Sequence, residues 1–201
     1  MEPDYVRFLT DYLGRQARPV EKFGHQPRLV ALTESVGEGL RYDRDVVIAA
    51  AWLHDIGVFV GHRPEDPAEL SRWDHVAYAC SLAPRILREA GFPEEKIPAV
   101  LDAIREHRPQ DEPRTTEAAI LRDADILEQL GAVGILRTIS KVGRDTRFPR
   151  FTEAVAALHW SLEHLPGQIR LESTRRLAEP RIAILQAFLH AVDDESGPNL
   201  L

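Results

Sequence analysis

Asp43-Arg44-Asp45-Val46-Val47-Ile48-Ala49-Ala50-Ala51-Trp52-Leu53-His54-Asp55-Ile56-Gly57 is the stretch on which the fold turns. Asp43 has the side chain of a helix N-cap, and Gly57 is the residue type that stops a helix. From Val46 to Leu53 there is no polar position at all, so this helix has no face to offer water and belongs at the centre of a helical body. The dipeptide His54-Asp55 then follows in its last turn. Two such side chains cost several kcal/mol to desolvate unless they are hydrogen-bonded, paired or bound to a metal. A divalent cation answers that cost, favoured further by the partial negative charge of a helix C-terminus. A hydrogen-bonded His–Asp pair answers it too.

Outward from this helix, Pro and Gly punctuate the chain near Arg18–Pro27, Gly57–Pro67, Gly91–Pro93, Arg108–Pro113, Val142–Pro149 and Leu165–Gly167. The segments between them read as helices. In Glu94–His107, the residues Ile97, Val100, Leu101 and Ile104 recur at helical offsets, and His107 continues that inward stripe. Thr116–Lys141 predicts one long apolar helix, and Glu153–Leu165 and Ile169–Val192 predict two more. Pro84 is expected to kink or restart the helix that follows Asp74. No stretch alternates as a strand would, so the fold expected is all-α. It is read as a single domain over residues 1–192, with a core of about 20–141, C-terminal helices at 151–192 and a flexible tail at 193–201.

The 201 residues carry 25 basic and 32 acidic side chains, a net charge of −7. That balance argues against nucleic-acid polymers and anionic membranes as partners and favours a small molecule. No apolar run approaches the ~18 residues a membrane span needs, and the opening MEPDYVRFLTDYLGRQ is too charged for a signal peptide, so a cytoplasmic location is expected. Cys80 stands alone, which removes an internal disulfide and cysteine-rich zinc modules. A metal would rest on carboxylates and on some of the eight histidines. His25 lies in a Gly-Pro-rich turn, His75 opens a helix after Asp74, and Asp123 and Asp125 are acids embedded in an apolar helix. With His54, Asp55 and His107 they form a set that can converge between helices, as metal sites in helical bundles do. Helical phase places Asp123 nearer the apolar stripe than Asp125. His62, His159, His164 and His190 show no partner pattern, and Trp52, Trp73 and Trp160 read as core.

The order His25, His54-Asp55, His75, His107, Asp125 resembles that of the HD superfamily of metal-dependent phosphohydrolases, with His54-Asp55-Ile56-Gly57 in the HDIG form. Thr115-Thr116-Glu117-Ala118, Arg122-Asp123-Ala124-Asp125-Ile126-Leu127-Glu128, Gly131-Ala132-Val133-Gly134-Ile135, and Leu177-Ala178-Glu179 with Arg181 are similar to small bacterial HD hydrolases of the nucleotide pyrophosphohydrolase-like branch. The likeness covers roughly residues 20–192. It implies an HD-type helical bundle and metal ligands His25, His54, Asp55 and Asp125, the last chosen over Asp123 because the family's Ala-Asp-x-Leu pattern falls on Ala124-Asp125-Ile126-Leu127. His75 and His107 match the extra histidines of two-metal members. They would serve as second-ion ligands or, beside a single ion, as acid, base or phosphate contact.

The activity so implied is hydrolysis of a small phosphate ester or anhydride, with a nucleotide as the expected substrate, by water activated on Mn, Fe, Ni, Co, Zn or Mg, one or two ions. Arg28 and Arg108 are expected to bind the phosphate, with Arg63 and Arg137 behind them. Two other readings stay open: a di-iron oxygenase, which the six-residue set permits, and a non-catalytic nucleotide- or metal-sensing module. The Gly-Tyr-Pro motif of cyclic-dinucleotide phosphodiesterases is absent. A homodimer is open too, because a segment as apolar as Thr116–Lys141 suits a dimer face as readily as a core.

Overall fold

The computed structural model describes residues 3–143 and 148–196, and among these it is all-α, with ten α-helices and no strand. They are α1 (Asp4–Gln16), α2 (His25–Val36), α3 (Arg44–Leu53), α4 (Pro67–Leu70), α5 (His75–Glu89), α6 (Ile97–Arg105), α7 (Thr116–Gln129), α8 (Gly131–Ile139), α9 (Phe151–His164) and α10 (Glu172–Ser196). The chain forms two compact units, residues 1–122 and 123–201, whose boundary falls inside α7.

In the first unit α3 is the axis. Every residue from Val46 to Leu53 is buried, and α1, α2, α5 and α6 pack around the helix. Asp43 caps it as expected, its carboxylate accepting from the backbone N–H groups of Asp45 (3.1 Å) and Val46 (3.4 Å). Truncating a wholly buried residue here, such as Leu53, would cost about 2–5 kcal/mol. The helix stops earlier than Gly57: His54 is its C-cap, and Ile56–Val58 form a short 3-10 turn. Gly57 answers a different need. A Cβ there would lie 2.7 Å from the His75 carbonyl oxygen and 2.9 Å from its Cα, so only glycine lets the start of α5 press against this turn. Pro84 sits within one continuous helix.

The expected Glu94–His107 helix is shorter at both ends. Glu94–Lys96 form a 3-10 turn, and α6 ends at Arg105, so His107 lies two residues beyond the helix and is buried without being part of it. The expected Thr116–Lys141 helix is two helices. Leu130 is extended and Gly131 has φ +71°, a conformation that breaks the ladder and that glycine adopts freely.

The second unit packs α8, α9 and α10 against one another. Asp123, fully buried, accepts from the backbone N–H groups of Arg170 (3.1 Å) and Leu171 (2.8 Å) ahead of α10, and Arg181 donates to the Leu127 carbonyl at 2.7 Å. The tail expected from Asp193 starts as helix, since α10 continues to Ser196; residues 197–201 lie outside the described residues.

Candidate metal centre

Four histidines and one carboxylate meet in the first unit, each delivered by the end of an element. His25 is the first residue of α2, His54 caps α3, Asp55 follows it, His75 opens α5 behind the Asp74 cap, and His107 comes two residues after α6. Helix ends leave backbone groups without intrahelical partners, and here one such group organises each of two imidazoles. The Nδ1 of His54 lies 3.0 Å from the Ala51 carbonyl, and the Nδ1 of His107 lies 2.7 Å from the Ile104 carbonyl. A carbonyl only accepts, so in both rings Nδ1 carries a proton and Nε2 is the nitrogen turned to the centre. The carbonyl thereby fixes tautomer and ring orientation, as the outer partners of metal-ligating histidines do.

The Nε2 atoms of His25 and His54 are 3.3 Å apart. Asp55 Oδ2 lies 3.6 Å from His54 Nε2 and 3.8 Å from His25 Nε2, while its other oxygen, Oδ1, faces His75 Nε2 at 3.6 Å. The rings of His54 and His107 are 4.9 Å apart, those of His75 and His107 6.0 Å. His54, Asp55 and His107 each offer a ligand atom within 4.8 Å of the others. His25, His54 and His107 are at most 6% exposed, whereas the side chains of Asp55 and His75 are 20% and 29% exposed and mark the open side.

Burial alone would raise the Asp55 carboxyl; the imidazoles, His54 foremost and then His25, His107 and His75, outweigh it and hold the group well below the usual carboxylate range. Burial lowers His75, partly offset by Asp55. The donor set therefore fits a divalent ion, with imidazole nitrogens of His25, His54 and His75 gathered around an ionised carboxylate. Two nitrogens at about 2.1 Å from one cation stand near 3.3 Å apart when the angle between them lies between octahedral and tetrahedral values.

Of the other expected site residues, Arg28 is exposed on α2, one turn from His25. Arg108 adjoins His107; its backbone N–H and its Nε both donate to Asp111 Oδ2 (3.1 and 3.3 Å), and its guanidinium reaches to 3.9 Å from Asp74. Asp125 is half-buried on α7, with Gln129 Nε2 at 3.2 Å from its Oδ2. Arg137 pairs with the buried Glu128 at 3.1 Å, a structural contact. Arg63 is half-buried in the loop before α4. Glu106 and Arg122 escaped the sequence reading, and Trp73, read as core, is only half-buried. Trp73 donates its indole N–H to the Gly57 carbonyl at 2.8 Å, Glu106 is buried and takes the backbone N–H of Arg114 at 2.8 Å, and Arg122 is 2% exposed. The sequence signal for Arg122 was a charge directly after the apolar run Ala118–Leu121; Glu106, between Arg105 and His107, carried none.

A family model described as HD domain matches residues 23–130. Among curated proteins, a ribonuclease Y from Desulforudis audaxviator (strain MP104C) is 28% identical over 127 residues, covering 63% of this chain and 22% of that protein. A second, from Desulforamulus reducens, matches to the same extent, so the matched segment spans about a fifth of these relatives' length. Among solved structures, a predicted HD superfamily hydrolase from an uncultured Thermotogales bacterium is 25% identical with a TM-score of 0.62, covering 96% of this chain and 91% of that one. Bacillus subtilis YpgQ in complex with ADP is 21% identical with a TM-score of 0.74 over 96% of both chains, a likeness of fold. No helix among the described residues is long and apolar enough to cross a membrane.

Proposed function

The chain belongs to the HD-domain family, and on that premise we propose that it is a metal-dependent phosphohydrolase acting on a small phosphate ester or anhydride, with a nucleotide as substrate. The observation that carries this reading is the facing pair of imidazoles, His25 and His54, beside the Asp55 carboxylate. In the proposed site His25, His54 and Asp55 hold a divalent ion, with Asp125 as the fourth ligand on the strength of the family pattern. Such an ion supplies Lewis acidity and a water of lowered pKa. His75 and His107 take or give a proton at Nε2 as water attacks phosphorus and the phosphate or pyrophosphate leaves. Arg108, next to His107, and Arg28, one turn from His25, neutralise the charge that develops on the phosphoryl oxygens. The ADP bound by the YpgQ structure supports a nucleotide as ligand. The chain is proposed to work in the cytoplasm, and a homodimer is compatible with its apolar helices.

The test is turnover of a nucleotide panel before and after EDTA, with Mn²⁺ restored. Activity lost with chelator and regained with metal is the expected result; activity indifferent to chelator sinks the proposal. One observation favours a second reading. Asp55 turns Oδ1 to His75 and Oδ2 to His25 and His54, room for two ions on one carboxylate, which a di-iron oxygenase would use. About two irons per chain, with oxygen consumed, would select it.

A further inference from the structure

We propose that Arg122 is a positioning residue that sets His107 and Arg108 by gripping the backbone directly behind them. Its Nε–H donates to the Arg108 carbonyl at 3.3 Å, and an η nitrogen donates to the Pro109 carbonyl. Arg122 is itself 2% exposed, on α7 between Leu121 and Asp123.

The segment it grips lies beyond the end of α6 and has little helical ladder to hold it. Pro109 has no N–H to offer, so the turn is fixed through acceptors. The Arg108 carbonyl takes the Asp111 N–H at 2.9 Å as well as the Arg122 guanidinium, and the Asp111 carboxylate takes the N–H and Nε of Arg108. Upstream, the Nδ1 proton of His107 is committed to Ile104. His107 and Arg108 thus stand between two anchors, Ile104 on one side and Arg122 on the other.

Packing does not require a charge here. An apolar side chain of similar volume is often as stabilising as a buried ion pair, so the fork's hold on two carbonyls is something packing alone would not supply. Nor does the Arg108 carbonyl require it for satisfaction, because it already accepts from the Asp111 N–H. A planar fork spanning two successive carbonyls fixes the direction of the peptide between them, and with it the base of the Arg108 side chain. A lysine, with one point of charge, holds a single carbonyl. The outcome is a guanidinium preset beside His107 before substrate arrives, held toward Asp74 at the head of the His75 helix.

This inference rests on the hydrolase reading for its kinetic consequence, and a second readout separates the two. The test compares Arg122→Met and Arg122→Lys, each alone and on an Arg108→Ala background, in the zinc-loaded full chain. The readouts are the imidazole ¹⁵N signals of His107 and the kcat and KM for nucleotide hydrolysis. Both variants are expected to melt cooperatively, to shift the His107 signals and to raise KM about tenfold. On the Arg108→Ala background KM should not rise further, the non-additivity of two residues acting through one another. Unchanged His107 signals overturn the proposal, as does a full further loss on that background. If Arg122→Met does not fold, Arg122→Lys carries the same comparison. If the parent hydrolyses no nucleotide, the hydrolase reading fails on its own, and the His107 signals alone decide the role of Arg122.

Discussion

His25 and His54, twenty-nine positions apart in the chain, turn their Nε2 atoms to each other at 3.3 Å, and the proton of His54 is held on the far side of its ring by the Ala51 carbonyl. Two imidazole nitrogens at that spacing are held together by a shared proton or a shared cation. His54→Ala should therefore lose the bound ion, measured as metal content of protein purified without added metal. Ligand binding raises stability by mass action, so EDTA should lower the Tm of the parent and leave that of His54→Ala unmoved.

Asp123 and Asp125, two residues apart on one helix, should separate cleanly by variant. Asp123 is fully buried and accepts from the N–H groups of Arg170 and Leu171; its alanine variant leaves both backbone donors without that acceptor and should cost about 1–3 kcal/mol in urea unfolding. Its metal content should stay at the parent level. Asp125→Ala should show the reverse, metal lost with little loss of stability. Equal metal loss in both would remove the assignment of Asp125 as ligand.

Gly57→Ala puts a methyl 2.7 Å from the His75 carbonyl oxygen, and backbone cannot rotate out of the way as a side chain can. Overpacking of this kind costs about 1–3 kcal/mol. Relief comes from moving the start of α5, which carries His75. A crystal structure of the variant should show the His75–Asp55 separation grown beyond 3.6 Å, and kcat should fall with it.

His62 gives the pH dependence. Its Nε2–H donates to Gln16 Oε1 and its Nδ1 faces the Tyr78 hydroxyl, each at 2.9 Å, and burial holds its pKa below the usual imidazole value. The unfolded chain takes up a proton near pH ~6.5 while the folded chain resists it. The stability from this lowered pKa is fully present above that value and is lost as the pH falls toward and through the folded one. Between pH 7.5 and 5.5 the Tm of the parent should fall more than that of His62→Gln, at fixed ionic strength. Parallel slopes would show that His62 contributes nothing to the acid limb.

Much of this was legible in one dimension because the controlling interactions are local. Asp43 caps two residues ahead of itself, the unbroken apolar run Val46–Leu53 has no option but the interior, and the His54-Asp55 dipeptide stands out against it. What escaped depends on contacts distant in sequence or on a single dihedral. Gly131 lies in an apolar stretch whose period continues across it, so nothing in the pattern shows that its φ is positive. Helical phase carried His107 inward correctly, but the helix ends at Arg105 and a turn delivers the ring instead. Arg122 reads as a misplaced charge until its two carbonyls, thirteen and fourteen residues upstream, come into view.

The carbonyls of Ala51 and Ile104 have a consequence for how the protein distinguishes ions. Because the backbone chooses which nitrogen of His54 and of His107 is left bare, the coordinating directions are a property of two helix ends and exist in the empty protein. Loading then needs no rearrangement of these rings, and ion preference becomes sensitive to residues that never touch the ion. A one-residue change in where α3 or α6 unwinds would re-aim a ligand nitrogen while leaving every ligand in the sequence.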